Sequence, residues 1–159
     1  MIFNLSTNVI TTNLNNTTGN INIFKVTGSI AFLLWGEITT GLSSAHTVAS
    51  MKVTDAVGTG ITNLSATATL SSLTAGSVIF TMSSGGAMQI LNITTQSATT
   101  QPAGTNTRGI CKFVVTPKNT DTFYYIAHRY TTTDAPSSGA IKYSLMWHAL
   151  DATATVVAQ

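Results

Sequence analysis

The sequence predicts an all-β protein, a single domain built as a jelly-roll-like β-sandwich or barrel of about eight to ten antiparallel strands. Three observations carry this reading. Apolar residues recur at every second position rather than at the 3.6-residue spacing of a helix. Extended runs are broken by Gly, Asn, Ser, Asp and Pro at intervals of roughly 8 to 12 residues. About one residue in five is Thr, whose β-branched side chain suits a half-buried pleated surface. At 159 residues the chain is long enough for one real core and too short for two comfortable domains. A two-sheet jelly roll or a closed barrel is the expected way to limit exposed strand edges.

The elements follow in order. Residues 1–20 are rich in Asn and Thr and read as a polar N-terminal arm or extended segment, with NLNNTTGN as an arm or loop, ahead of a domain spanning 21–159. In INIFKVTGSIAFLLWGEIT, Phe24, Val26, Ile30, Phe32, Leu34 and Ile38 share one parity and should face the core, with Lys25, Thr27, Ser29 and Glu37 on the other. Gly28 and Gly36 fall on the apolar parity, where a missing side chain lets a strand bend or bulge. The alternation is too long for one straight strand, so a strand, a bend at Gly28 and a second strand are expected. Further strands are expected at His46–Val53, Ile61–Leu70, Ser77–Met82 and Ala87–Thr94, then in GICKFVV, FYYIAHRY and IKYSLMWHA. A short helical turn is placed around Leu42–Ala45. The segment Ser97–Gly109 is the longest without strand character, and a loop of that size is often functional.

Composition narrows the function. Only 8% of residues are charged, against about 25% in an average soluble domain. A surface of hydroxyls and amides stays soluble with little self-repulsion, which suits close packing among many copies. The net charge of +2 comes from seven scattered basic residues with no run of three, so the electrostatic footprint of a nucleic-acid partner is missing. Cys111 is the single cysteine, which excludes an intrachain disulfide, and its apolar neighbours point to a buried thiol. The opening MIFNLSTNVITT lacks the basic and continuous apolar regions of a signal peptide. IAFLLW, the longest apolar stretch, is far shorter than the roughly 20 residues of a membrane helix. Neither secretion through a signal nor a membrane partner is expected.

Motifs for chemistry are sparse. Paired-carboxylate catalysis would need two of Glu37, Asp55, Asp121, Asp134 and Asp151 to converge, yet three of them stand in turn-like contexts where Asp bonds its own backbone. Glu37 stands in a strand beside Trp35. His46, His128 and His148 show none of the ligand spacings of a zinc site, although His128 and His148 lie on separate strands that folding could juxtapose. GTGITN from Gly58 lacks the third Gly and the helix of a phosphate loop, and G-x-S-x-G does not occur. No catalytic, metal or cofactor residue is assigned, and no cofactor is expected.

The aromatic run FYYIAHRY offers two faces. With Phe123 and Tyr125 taken as the core face, Tyr124, His128 and Tyr130 form an aromatic-polar surface stripe. Such a stripe serves a protein interface, simple barrel packing, or a platform for stacking a sugar or base. At the end of the chain, Ile141, Tyr143, Leu145 and Trp147 share one face of a half-buried strand. Ala154–Ala158 then carries no charge to protect it as a free edge. Cover within the sheet or from a neighbouring subunit is required there, and a second copy of the chain is the expected cover. The interface candidates are therefore Tyr124, His128, Tyr130, Trp147, Val156 and Val157.

Two blocks carry a family resemblance. VTGSIAFLLWGEITTGLSSAHTVASMKV, from Val26 to Val53, resembles the first third of small β-rich virion proteins of tailed bacteriophages, which pair a V-T-G strand with an apolar strand ending in G-E-[IV]-T-T. GAIKYSLMWHALDATATVVAQ resembles their closing pattern of G-x-I, an alternating aromatic strand, then L-D and V-V-A. Where those proteins carry P-L-D-D-G-A, this chain has His148, Ala149, Leu150, Asp151 and Ala152 in part of the motif. The resemblance implies a jelly-roll-like, homotrimeric virion structural protein with no catalytic residues. The function expected from it is capsid decoration, a cement role in which the oligomer bridges major capsid protein subunits. The protein would be made in the host cytoplasm and sit on the outer capsid surface, its Asn/Thr-rich arm ordering on assembly. The alternative is a head-fibre, tail or receptor-binding module, with Tyr124, His128, Tyr130 and the Ser97–Gly109 loop contacting a host glycan.

Overall fold

Among the described residues the period-two pattern is realised as eleven strands, each antiparallel to its neighbours. They come from a computed structural model that describes residues 4–11, 19–44, 46–57, 60–81, 88–91, 113–115, 121–132 and 139–159. The strands are β1 (Asn4–Thr11), β2 (Gly19–Thr27), β3 (Ile30–Thr40), β4 (His46–Thr54), β5 (Gly60–Asn63), β6 (Val78–Thr81), β7 (Met88–Leu91), β8 (Phe113–Val115), β9 (Phe123–Thr132), β10 (Ala140–Ala149) and β11 (Thr155–Ala158). No helix forms among the described residues, and Leu42–Ser44 is irregular rather than a helical turn. Ala45, Cys111 and the Ser97–Gly109 segment lie outside the described residues.

Two sheets make a β-sandwich. The first has the order β1-β10-β3-β6-β7, with β8 also pairing β3; the second has the order β11-β2-β9-β4-β5. The long β3 carries two partners on one side, β8 along Ile30–Phe32 and β6 along Trp35–Glu37. The surplus over the expected strand count comes from the two ends of the chain. Of the arm or extended segment expected over 1–20, Asn4–Thr11 is extended and forms a full strand paired with β10, from Asn4 opposite Trp147 to Thr11 opposite Ala140. Its backbone N–H and C=O groups meet the ladder requirement even though the segment NLSTNVIT reads as largely polar by composition. The uncharged tail is likewise paired within its own chain, with Thr155 opposite Thr27 and Ala158 opposite Phe24.

The core lies between the sheets. Phe24, Val26, Ile30, Phe32, Leu34 and Ile38, the residues of the long alternating run, are all buried there with Leu145, Tyr143, Ile126 and Tyr124 from facing or neighbouring strands. Each fully buried side chain of this size contributes about 1.5–3 kcal/mol. The run breaks where expected. Gly28 has φ 70°, a left-handed conformation that other residues adopt only with strain, and the chain passes there from the second sheet to the first. Gly36 serves packing instead. A Cβ there would lie 2.9 Å from Ile79 Cγ1, 2.9 Å from Tyr143 Cε1 and 3.0 Å from Ile141 Cγ2, so its absence makes room for the Tyr143 ring.

Asp151 ties the β10–β11 turn to the β2–β3 turn. The Ser29 N–H donates to Asp151 Oδ2 at 2.6 Å, and the Thr153 N–H and hydroxyl donate to Oδ1 at 2.9 and 2.7 Å. The Leu150 N–H returns a bond to the Ser29 carbonyl at 2.9 Å. Bonds that favour the charged form lower a carboxyl pKa, and the Thr153 hydroxyl, followed by the Ser29 N–H, holds Asp151 down at about 2.

Two outcomes follow from this packing. Gly36→Ala should lower stability by about 1–3 kcal/mol through overpacking, read as a reduced denaturant midpoint at constant slope. Asp151 has a folded-state pKa depressed below its ordinary 3.8, so its contribution is complete above that value and is lost as pH falls toward about 2. Melting temperatures of the wild type and Asp151→Asn should therefore differ by a constant amount at neutral pH and converge between those two pH values. A gap that persists unchanged to the acid end would show that the carboxylate is not the clamp.

Candidate functional site

The expected surface stripe on β9 lies inside the sandwich. Tyr124 is 1% exposed, His128 0% and Tyr130 8%, so these three are core residues and not a binding platform. β9 is the central strand of the second sheet, flanked by β2 and β4, and the parity of Tyr124, Ile126, His128 and Tyr130 faces the other sheet. Phe123 and Tyr125 take the opposite, half-buried face, with ring centroids 5.4 Å apart at 71° and the Lys25 ammonium 4.0 Å from the Phe123 centroid. The signal that selects this parity is Arg129. It shares a face with Phe123 and Tyr125 and is exposed, because a guanidinium without a buried partner stays in water.

The interior has its own polar pair. His128 Nδ1 and the Tyr143 hydroxyl are joined by a 2.6 Å hydrogen bond across the sandwich. The imidazole stacks on Tyr130 at 6.3 Å and 19°, and the Tyr143 ring tilts against it at 5.9 Å and 50°. Burial pushes the Tyr143 phenol well above its ordinary range, so it stays protonated within this bond. Burial also raises Tyr124, with the charge of Asp151 adding to the shift. Ser50, Thr54, Ser65, Ser77 and Ser144 are the other buried polar residues among those described, and none of them is a carboxylate.

The remaining candidates separate. Trp147 faces inward with Ile141, Tyr143 and Leu145, packs partly buried against the core, and donates its indole N–H to Ser6 Oγ at 3.2 Å. Val156 packs against the core opposite Val26, which in turn pairs Tyr124, so these three form one cross-strand row. Val157 takes the outer parity and is 55% exposed. His148 pairs Ala31 on the outer parity of the first sheet, and its ring is thereby kept away from His128 in the interior. No group of three His, Cys, Asp or Glu side chains gathers among the described residues.

The surface that does stand out is one the sequence reading did not single out. On the outer face of the first sheet, Leu33, Trp35, Val78, Phe80 and Met146 line a concavity of about 350 Å³. Pairing explains their convergence: Met146 lies opposite Leu33, and Trp35 lies opposite Phe80. Leu5, opposite Met146 on β1 and 63% exposed, extends the apolar surface to the sheet edge. The signal was present in IAFLLW, which is apolar on both parities, so that a strand with one face in the core must show Leu33 and Trp35 on the other. Apolar surface concentrated in this way marks an interaction site more often than scattered exposed residues do. Every side chain lining the concavity is aliphatic, aromatic or a thioether, apart from the indole N–H, which fits it to packing against another apolar surface rather than to reading a polar ligand.

Compared with protein-family models, with curated proteins and with solved structures, the chain matches none.

The His128–Tyr143 pair yields a direct test. Tyr143→Phe leaves a buried imidazole nitrogen without its hydroxyl partner and should cost about 1–3 kcal/mol. The double variant with His128→Phe should cost less than the sum of the single changes. Strict additivity in chemical denaturation would mean that the 2.6 Å bond contributes nothing to stability.

Proposed function

We propose that this chain is a non-enzymatic virion structural protein of a tailed bacteriophage, a capsid decoration protein that acts by binding. It assembles as a homo-oligomer, a trimer by resemblance, and bridges major capsid protein subunits on the outer capsid surface after synthesis in the host cytoplasm. The observation that carries the reading is the outward apolar face of the first sheet, Leu33, Trp35, Val78, Phe80 and Met146, on a chain with only 8% charged residues. A β-sandwich with a charge-poor surface and one concentrated apolar face is suited to permanent contact with other proteins. The two sequence blocks that resemble phage virion proteins supply the kind of assembly. The exposed Val157 beside the uncharged β11 edge is a second contact point. The receptor-binding alternative sets Tyr124, His128, Tyr130 and the Ser97–Gly109 loop against a host glycan; the three side chains are inside the sandwich, and the loop lies outside the described residues.

Electron cryomicroscopy of virions labelled through this chain should place it on the outer surface of the head. Density confined to the tail would sink the decoration reading. Trp35→Lys should reduce the number of copies retained on purified capsids while leaving the β-sheet circular dichroism of the isolated protein unchanged, because Trp35 is on the outer parity.

A further inference from the structure

The outer face of the first sheet is its own complement, and we infer that its occupant is a second copy of this chain, packed face to face about a two-fold axis parallel to the strands and running between β3 and β10. This rests on reading that face as an assembly surface and adds who sits on it and in which register. Strand pairing sets the outward residues in rows across the sheet. One row reads Thr7, Ser144, Trp35, Phe80 across β1, β10, β3 and β6. The next reads Leu5, Met146, Leu33. On the other side of the Trp35 row stand Lys142, Glu37 and Val78.

A two-fold axis along the strands between β10 and β3 reverses each row and lays it on itself. Phe80 then lies over the exposed Thr7 of the second copy, and Trp35 over Ser144, an outer-parity residue whose short side chain is only 7% exposed among taller neighbours, so large residues meet small ones in both directions. Met146 and Leu33 exchange places and stay apolar against apolar. Glu37 lies over Lys142 of the second copy and Lys142 over Glu37, so each contact contains two opposite-charge pairs. Small opposite large and acid opposite base in the same registration is what an isologous interface requires. Aligned sheet faces of this kind pack about 10 Å apart with interdigitating side chains. Sequence alone hides the pattern, because its members come from four strands and only the register brings them into rows.

The charge pairs give the test. Sedimentation velocity of the protein should show a species of twice the chain mass, or of six chains where the two-fold contact joins two trimers. Glu37→Lys sets a lysine over Lys142, and Lys142→Glu sets a glutamate over Glu37; each variant alone should dimerise at least roughly tenfold more weakly. Mixed together, the two variants should pair. The new lysine at position 37 of one chain then meets the new glutamate at position 142 of the other, and both native charges keep a partner. This recovery separates contact between copies from damage within one chain, because each variant keeps its own like-charged neighbours in the mixture. The doubly swapped chain should dimerise like the wild type, and thermal melting of all four proteins controls for folding. A wild-type monomer, a dimer indifferent to either swap, or a mixture that fails to pair would each overturn the two-fold contact. A mass of three chains would also overturn it while leaving the decoration reading intact, since a two-fold contact added to a trimer doubles it to six. The decoration reading itself fails only on the position of the chain in virions, so the two outcomes are told apart.

Discussion

The passage of the chain from one sheet to the other at Gly28 is the constraint on which the rest of the sandwich depends. β2 and β3 are consecutive in sequence yet lie in different sheets, so a single short corner sets how the two sheets face one another. The corner needs a left-handed residue, and it needs its exposed amides held. Gly28 supplies the first and Asp151 the second, through the Ser29 N–H. Because Asp151 also organises its own turn through Thr153, the corner between sheets and the turn leading into β11 form one hydrogen-bonded unit. A Cβ at position 28 would lie 2.6 Å from Asp151 Oδ1 and 2.9 Å from the Ala154 backbone. Conformation and close approach therefore both select glycine there.

Much of this was legible in the residues, and what was not has identifiable causes. The alternation from Phe24 to Ile38 specified a core face, a bend and a second strand, and each is found, because one buried face imposes period two strongly. β9 misled because aromatic residues occupy both parities of FYYIAHRY, so hydrophobicity alone does not choose a face. The single exposed charge on the strand, Arg129, was the better guide. β1 was hidden by composition: Asn, Ser and Thr are common in arms and loops, yet their backbones pair as well as any others, and the decision came from β10 offering an unpaired edge.

The candidate surface illustrates the same limit in reverse. Leu33 and Trp35 are adjacent to core residues in a run that reads as uniformly apolar, and sequence parity assigned only the even positions a role. Phe80, Val78 and Met146 reach the same face from strands far away in the chain. Their meeting is a property of register, which depends on every hairpin and crossover between them. The interior His128–Tyr143 bond is similar, since it joins two sheets whose relative position follows from the corner at Gly28.

One consequence of the strand order concerns how the protein comes to exist. β1 lies beside β10 in the first sheet and close to β11 at the edge of the second. β1 therefore leaves the ribosome well before its partner β10 is made. Contacts so distant along the chain slow folding, because a large loop must close before the pairing rewards it. During synthesis the first strand must wait, and its Asn/Ser/Thr-rich sequence keeps that waiting segment hydrated and slow to aggregate. Polarity that contributes little to the finished sandwich protects the unfinished one.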